Sequence, residues 1–147
     1  MSTRENKELV RQLIEEWNAI NGDVAKLRSL YEKYYLPDYI HHDPSRGDMK
    51  GEQRMQYVAM MLTAFPDTRW SIDDMLAEGD MVASRYTMRF THTGAVMGIA
   101  ATGKQIVAKG ADIRKIRGGK VVEIWDFPDT IGIMTQLGAV PSRTAPR

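Results

Sequence analysis

Asp129 stands four residues after Trp125, at the end of an apolar run, and is the first residue to which chemistry can be assigned. A carboxylate at the mouth of an apolar pocket loses hydration, and its pKa rises toward the range useful for proton abstraction. Asp129 also precedes a short apolar segment, Ile131 to Leu137, so it can equally serve as a helix N-cap. Asp126 is its rival, because it alternates onto the face of Val122 and Ile124 and becomes the base if that face lines the pocket. His92 ends a strand face of Val82, Tyr86, Met88 and Phe90, where it is expected to donate to a carbonyl or to a developing enolate oxygen. His42 is the second polar candidate, and its neighbour His41 is expected to be the exposed one. Asp112 shares a face with Ala108, Gly110 and Arg114, so it is either a second pocket carboxylate or the partner of Arg114, Arg85 or Arg89. Trp17, Tyr39, Met60, Met88 and Trp125 are the expected walls for a flat apolar ligand.

Other chemistries find little purchase. The three His show no i, i+4 spacing, and adjacent residues of a strand point to opposite faces, so no metal is expected. There is no Cys, hence no thiol nucleophile or disulfide framework. No Gly-x-Gly-x-x-Gly, Walker-type or Gly-x-Ser-x-Gly string occurs, so no nucleotide cofactor and no serine hydrolysis is expected.

The elements that must position these residues begin with helices. Residues 5–20 place Leu9, Val10, Leu13, Ile14, Trp17 and Ile20 on one stripe, with a Ser2–Glu5 capping box before them and Asn21-Gly22 as the stop. A second helix is predicted over 24–34, ended by Leu36-Pro37. A short extended piece, 39–42, leads to a loop over 44–50. A third helix over 51–64 turns Met55, Val58, Met61, Leu62 and Phe65 toward the core. The period then falls to two. Strands are predicted over 69–77, 81–93, 105–117 and 120–127, the last two joined by Gly118-Gly119, a pair suited to a turn with positive φ. Helices followed by hairpin-linked strands make an α+β domain, with three N-terminal helices packed on a curved antiparallel sheet.

The chain of 147 residues fits one domain, with a core over about 6–138 and a frayed tail over 139–147. At 43% hydrophobic and 27% charged, its composition argues against disorder. Twenty Lys and Arg against nineteen Asp and Glu leave a net charge of +1, which excludes a strongly basic nucleic-acid binder and gives no reason to expect a membrane partner. No apolar run is long enough to span a bilayer and the first residues are too polar for a signal peptide, so a cytoplasmic protein is expected.

Several strings in this order resemble the SnoaL-like polyketide cyclase family, within the nuclear transport factor 2-like fold. They are Tyr39-Ile40-His41-His42-Asp43-Pro44, Phe65-Pro66-Asp67, Glu78-Gly79-Asp80-Met81-Val82, Thr91-His92-Thr93-Gly94, Thr102-Gly103-Lys104, Gly119-Lys120-Val121-Val122-Glu123-Ile124-Trp125, Asp129 and Gln136-Leu137-Gly138. The resemblance implies a conical α+β barrel around one deep apolar pocket. It also implies ring closure by intramolecular aldol condensation, with an acidic residue as acid/base and neither metal nor cofactor. In the family's Trp-x-x-x-Asp pattern the acid corresponds to Asp129, and His42 falls where the family often has a pocket His. The expected partners are a small hydrophobic carbonyl compound and a second copy of the chain, paired through the free face of the sheet. A non-catalytic module holding a hydrophobic ligand in the same pocket is the alternative, because one fold hosts both roles.

Overall fold

The computed structural model describes residues 1–96 and 98–140; from residue 141 on, the tail expected to fray lies outside them. Helix α1 (Thr3–Ala19) opens on the expected capping box, in which Ser2 Oγ accepts from Glu5 N at 3.1 Å and Glu5 Oε1 accepts from Ser2 N at 3.3 Å. It buries Val10 and Leu13 and ends where Asn21 and Gly22 take positive φ. A 3₁₀ turn (Val24–Lys26) leads into α2 (Leu27–Tyr34), so the predicted second helix is two pieces.

Strand β1 (Tyr35–His42) begins directly after α2, four residues earlier than expected. Pro37 is tolerated there because the pairing with the last strand shifts register between Tyr35 and Ile40. The expected loop over 44–50 holds a two-residue strand, β2 (Met49–Lys50), before α3 (Gly51–Ala64). Strands β3 (Arg69–Glu78), β4 (Met81–Thr91), β5 (Gln105–Arg117) and β6 (Lys120–Pro128) follow, and α4 (Thr130–Gln136) closes the described chain. Both turn glycines between β5 and β6 have positive φ, 58° at Gly118 and 75° at Gly119, as that tight connection requires.

The strand order is β2-β1-β6-β5-β4-β3. Antiparallel pairing holds throughout except between β1 and β6, which run parallel, so the expected antiparallel sheet is in fact mixed. A parallel neighbour needs a long crossover, and everything from α3 to β5 supplies it. The sheet curves but does not close: β2 and β3 are free edges, and the cone is open on that side. Helices α1, α2 and α3 cover the concave face, and the main core lies between Val10, Leu13, Leu27, Leu30, Leu62 and the inward residues of β1, β4, β5 and β6. A second cluster of Phe65, Phe90, Val96, Ile106, Ala108, Ile133 and Leu137 closes the far end.

One irregularity decides the site. Between β5 and β6, Lys115 pairs with Glu123 and Ile116 with Val121, which leaves Val122 as an extra residue. The bulge resets the alternation, so that Val121, Ile124 and Asp126 all point inward while Trp125 and Phe127 point outward.

Candidate active site

Two cavities meet under the concave face. The larger, about 100 Å³, is walled by aromatic and aliphatic side chains of every layer, among them Trp17 of α1, Val58 and Met61 of α3, Trp70 of β3, and Tyr86, Met88 and Phe90 of β4. The smaller, about 70 Å³, is polar at its back, where Tyr39, His41, Asp112 and Arg114 converge. Trp17, Arg54, Val58, Trp70 and Asp126 line both and form the junction. Trp17 meets Trp70 edge-on at 6.0 Å, and Trp70 meets Tyr86 at 4.9 Å, so an aromatic wall runs from α1 to the Asp126 carboxylate.

Asp126 is only 8% exposed. Tyr86 Oη donates to its Oδ1 at 2.8 Å, and His41 Nε2 donates to its Oδ2 at 3.2 Å. Burial works to raise this carboxyl, but the donors His41 and Tyr86 and the nearby Arg54 charge outweigh it, so Asp126 sits below the usual carboxylate range. It is therefore ionised and oriented. Burial also pushes the His41 imidazole down, against the pull of Asp126, which keeps His41 neutral with its Nε2 proton turned to the carboxylate. Tyr86 reaches Asp126 because Gly110 lies directly opposite it on β5 and carries no side chain in the ring's path.

Asp112 faces Asp126 across the β5–β6 pair. Arg114 Nη1 donates to Asp112 Oδ1 at 2.7 Å, the ion pair anticipated from the shared strand face. Burial and the Asp126 charge push Asp112 up to about 6 in spite of Arg114. At the cavity mouth, Asp43 accepts from Ser45 N at 2.8 Å and Oγ at 2.6 Å, and from Arg46 Nη1 at 2.6 Å, which sets Arg46 beside the Tyr57 ring.

Several expected site residues lie elsewhere. Asp129 caps α4: its Oδ1 accepts from Gly132 N at 2.8 Å and its own N–H donates to Lys109 O, so it lines neither cavity. Pro128 ends β6 just before it, which breaks the alternation and turns Asp129 into the helix start. His42 is on the outer face, bonded to Asp48 at 2.8 Å and Glu123 at 2.6 Å and stacked on Trp125 at 5.5 Å. The expectation for the pair is thus reversed, and His41 is the inward one. Trp125 shares that outer face and is no pocket wall. His92 is fully buried but lies past the end of β4, where Thr102 Oγ1 at 2.9 Å from Nδ1 ties it into the loop, outside the lining of both cavities. Met60 is 57% exposed and lines an outer groove of about 880 Å³ rather than the inner site. That groove shares Arg46, Tyr57, Met61 and Val96 with the larger cavity and so opens into it. Trp17, Tyr39 and Met88 do line the cavities.

Arg54, Tyr57, Trp70 and Tyr86 were not singled out from the sequence as site residues. Arg54 carried a signal nonetheless: it sits four residues before Val58 and seven before Met61, a charged residue on the helix's apolar stripe. Among the described residues, no group of three or more His, Asp and Glu is arranged to hold a metal ion.

The half-open cone with helices on its inner face and a cavity at its centre is the nuclear transport factor 2-like fold. Residues 7–137 match the sequence profile of the SnoaL-like polyketide cyclases, and the chain belongs to that family. Aklanonic acid methyl ester cyclase DnrD from Streptomyces peucetius is 25% identical over 134 residues, covering 89% of each chain. Among solved structures, AclR, a candidate hydroxylase from Streptomyces galilaeus, superposes with a TM-score of 0.85 at 27% identity, covering 97% of this chain and 87% of its own. TsrD from Streptomyces laurentii gives 0.75 at 28% identity, covering 90% and 97%.

Proposed function

We propose that the chain is a cyclase-type enzyme that closes a ring in a small hydrophobic carbonyl compound by acid/base chemistry at carbon, with Asp126 as the base. The observation that carries this reading is the Asp126 carboxylate itself, ionised, buried at the junction of an apolar and a polar cavity, and aimed by Tyr86 and His41. In the reaction, Asp126 takes a proton from a carbon between two carbonyls. The freed electron pair then attacks a second carbonyl carbon of the same molecule, the ring C–C bond forms, and protonated Asp126 returns its proton to the new alkoxide. The aromatic wall of Trp17, Trp70 and Tyr86 holds the folded chain in reactive geometry. A water-sized group needs roughly 10–15 Å³, so the larger cavity takes about one ring's worth of atoms. The rest of a larger substrate extends into the groove past Tyr57 and Met61.

A pure carrier has no use for an oriented, ionised carboxylate at its centre, which favours the enzyme over the binding module. In the same reading a second copy pairs on the outer face of the sheet, where Val107 and Phe127 are exposed; a monomer in sedimentation at working concentration removes that part. The test of the catalytic reading is deuterium exchange at the activated methylene of methyl acetoacetate, followed by proton NMR. Asp126→Asn should lower the catalysed exchange by about a hundredfold or more, and Asp129→Asn should leave it near the wild-type rate. Unchanged exchange in Asp126→Asn refutes the assignment.

A further inference from the structure

We infer that Arg54 is the residue that receives the enolate oxygen, and that the polar cavity behind it takes the acceptor oxygens of a 1,3-dicarbonyl substrate. The inference rests on Asp126 as the base and deepens it by naming the group on the other side of the reacting carbon. Three arginines border the two cavities. Arg46 is spent on Asp43 at 2.6 Å, and Arg114 on Asp112 at 2.7 Å. Arg54 lines both cavities, and among the described residues it has no hydrogen-bond or ion-pair partner; its guanidinium instead rests on the Tyr57 ring, 5.1 Å from the centroid. A guanidinium held by an aromatic face keeps its N–H groups free for a ligand. Its charge is felt at both Asp126 and His41.

The back of the polar cavity supplies an independent observation. Tyr39 Oη and Arg114 Nε are both buried donors without a partner. Buried donors call for acceptors, and the cavity they border has room for about five water-sized groups. A site in which Arg54, Tyr39 Oη and Arg114 Nε face no acceptor suits a ligand that brings oxygen and no proton of its own. A 1,3-dicarbonyl does this, and its enolate does so with a charge. When Asp126 removes the proton, the C–H electron pair passes into the carbonyl system and the negative charge arrives on an oxygen beside Arg54. As the ring bond forms, the pair leaves for the second carbonyl, whose oxygen takes the proton back from Asp126. Arg54 stays protonated throughout and binds the intermediate more tightly than the neutral substrate, as catalysis requires.

The probe is 4-nitrophenolate, a flat delocalised oxyanion, compared with its neutral methyl ether 4-nitroanisole at one mildly alkaline pH. Wild-type protein should bind the phenolate at least about tenfold more tightly than the ether, a ratio that corresponds to about 1.4 kcal/mol. Arg54→Gln should erase or invert that preference, and Arg54→Lys should retain part of it. Asp126→Asn should strengthen it, because the repelling carboxylate is gone. The opposite signs at positions 54 and 126 are what a merely structural arginine would not produce. The inference is overturned by a wild-type protein without the preference. It is equally overturned by a folded Arg54→Gln that keeps the preference, or by Arg54→Lys losing it as completely as Arg54→Gln. Deuterium exchange in Asp126→Asn judges the base separately, so a failure of the phenolate preference with exchange lost in Asp126→Asn condemns Arg54 alone.

Discussion

Replacing Asp112 by Asn should change how stability depends on pH, in a direction that the buried pair fixes. In the folded protein, burial and the Asp126 charge raise Asp112 from 3.8 to about 6. Unfolded, the same carboxyl returns to its ordinary value. Between those two values the native state holds a proton that the unfolded state has released, so stability falls as pH rises through the window. A tenfold change in protonation is worth about 1.4 kcal/mol, so about two pKa units amount to about 3 kcal/mol. Asp112→Asn keeps an oxygen for Arg114 Nη1 but cannot titrate. The assay is urea unfolding of wild type and Asp112→Asn across pH 3 to 7, with stability taken from the linear extrapolation. The wild type should lose about 3 kcal/mol relative to the variant over this span, beyond any constant offset from leaving Arg114 without its counter-charge. A flat difference would mean that the polar cavity is wet enough to leave Asp112 at its ordinary value. A difference of the opposite sign, with the wild type gaining as pH rises, would mean that Arg114 outweighs burial. Either result refutes the reasoning.

Two further predictions follow from neighbouring contacts. Gly110→Ala places a Cβ against the Tyr86 hydroxyl and ring, so it should push Tyr86 off Asp126 and cut catalysed deuterium exchange about as much as Tyr86→Phe; exchange at the wild-type rate would show that Tyr86 does not aim the base. Asp129→Ala removes the α4 cap that accepts from Gly132 N and should cost about 1 kcal/mol in urea unfolding while sparing exchange, and a stability unchanged within error would show that the cap contributes nothing.

Much of this arrangement was legible in the chain, because periodicity is a local property. The capping box at Ser2 and Glu5, the helix over 51–64 and the strand over 105–117 lie where their spacings put them. The inward faces were harder, since a single extra residue inverts a strand. Asp126 was correctly placed with Ile124, although Val122, grouped with them, is the bulge residue and is not fully buried. The histidine pair was decidable in principle: Tyr39 was expected as a pocket wall, and His41, two residues on, must share its face. The family's pocket His, which falls at His42, points to the opposite member of the pair. The parallel pairing of β1 with β6, which sets His41 beside Ile124 and so near Asp126, joins segments more than eighty residues apart. No local pattern encodes it.

The pairing also explains why two carboxylates on adjacent strands behave differently. Asp112 and Asp126 are cross-strand partners, and two ionised carboxylates so placed repel one another. Asp126 receives two donors, Tyr86 from β4 and His41 from β1, and both favour its charged form. Asp112 receives Arg114 but is more deeply enclosed and also faces the Asp126 charge, so the net push is upward. The strand order makes that division possible, since β6 lies between β1 and β5 and only its residues can take donors from the β1 side. Of the two carboxyls, Asp112 therefore takes a proton first as pH falls through about 6, and Asp126 is left ionised for the role proposed for it. The carboxylate that the topology surrounds with donors is the one that stays charged, and below about pH 6 protonation of its neighbour keeps the pair from carrying two full charges at once.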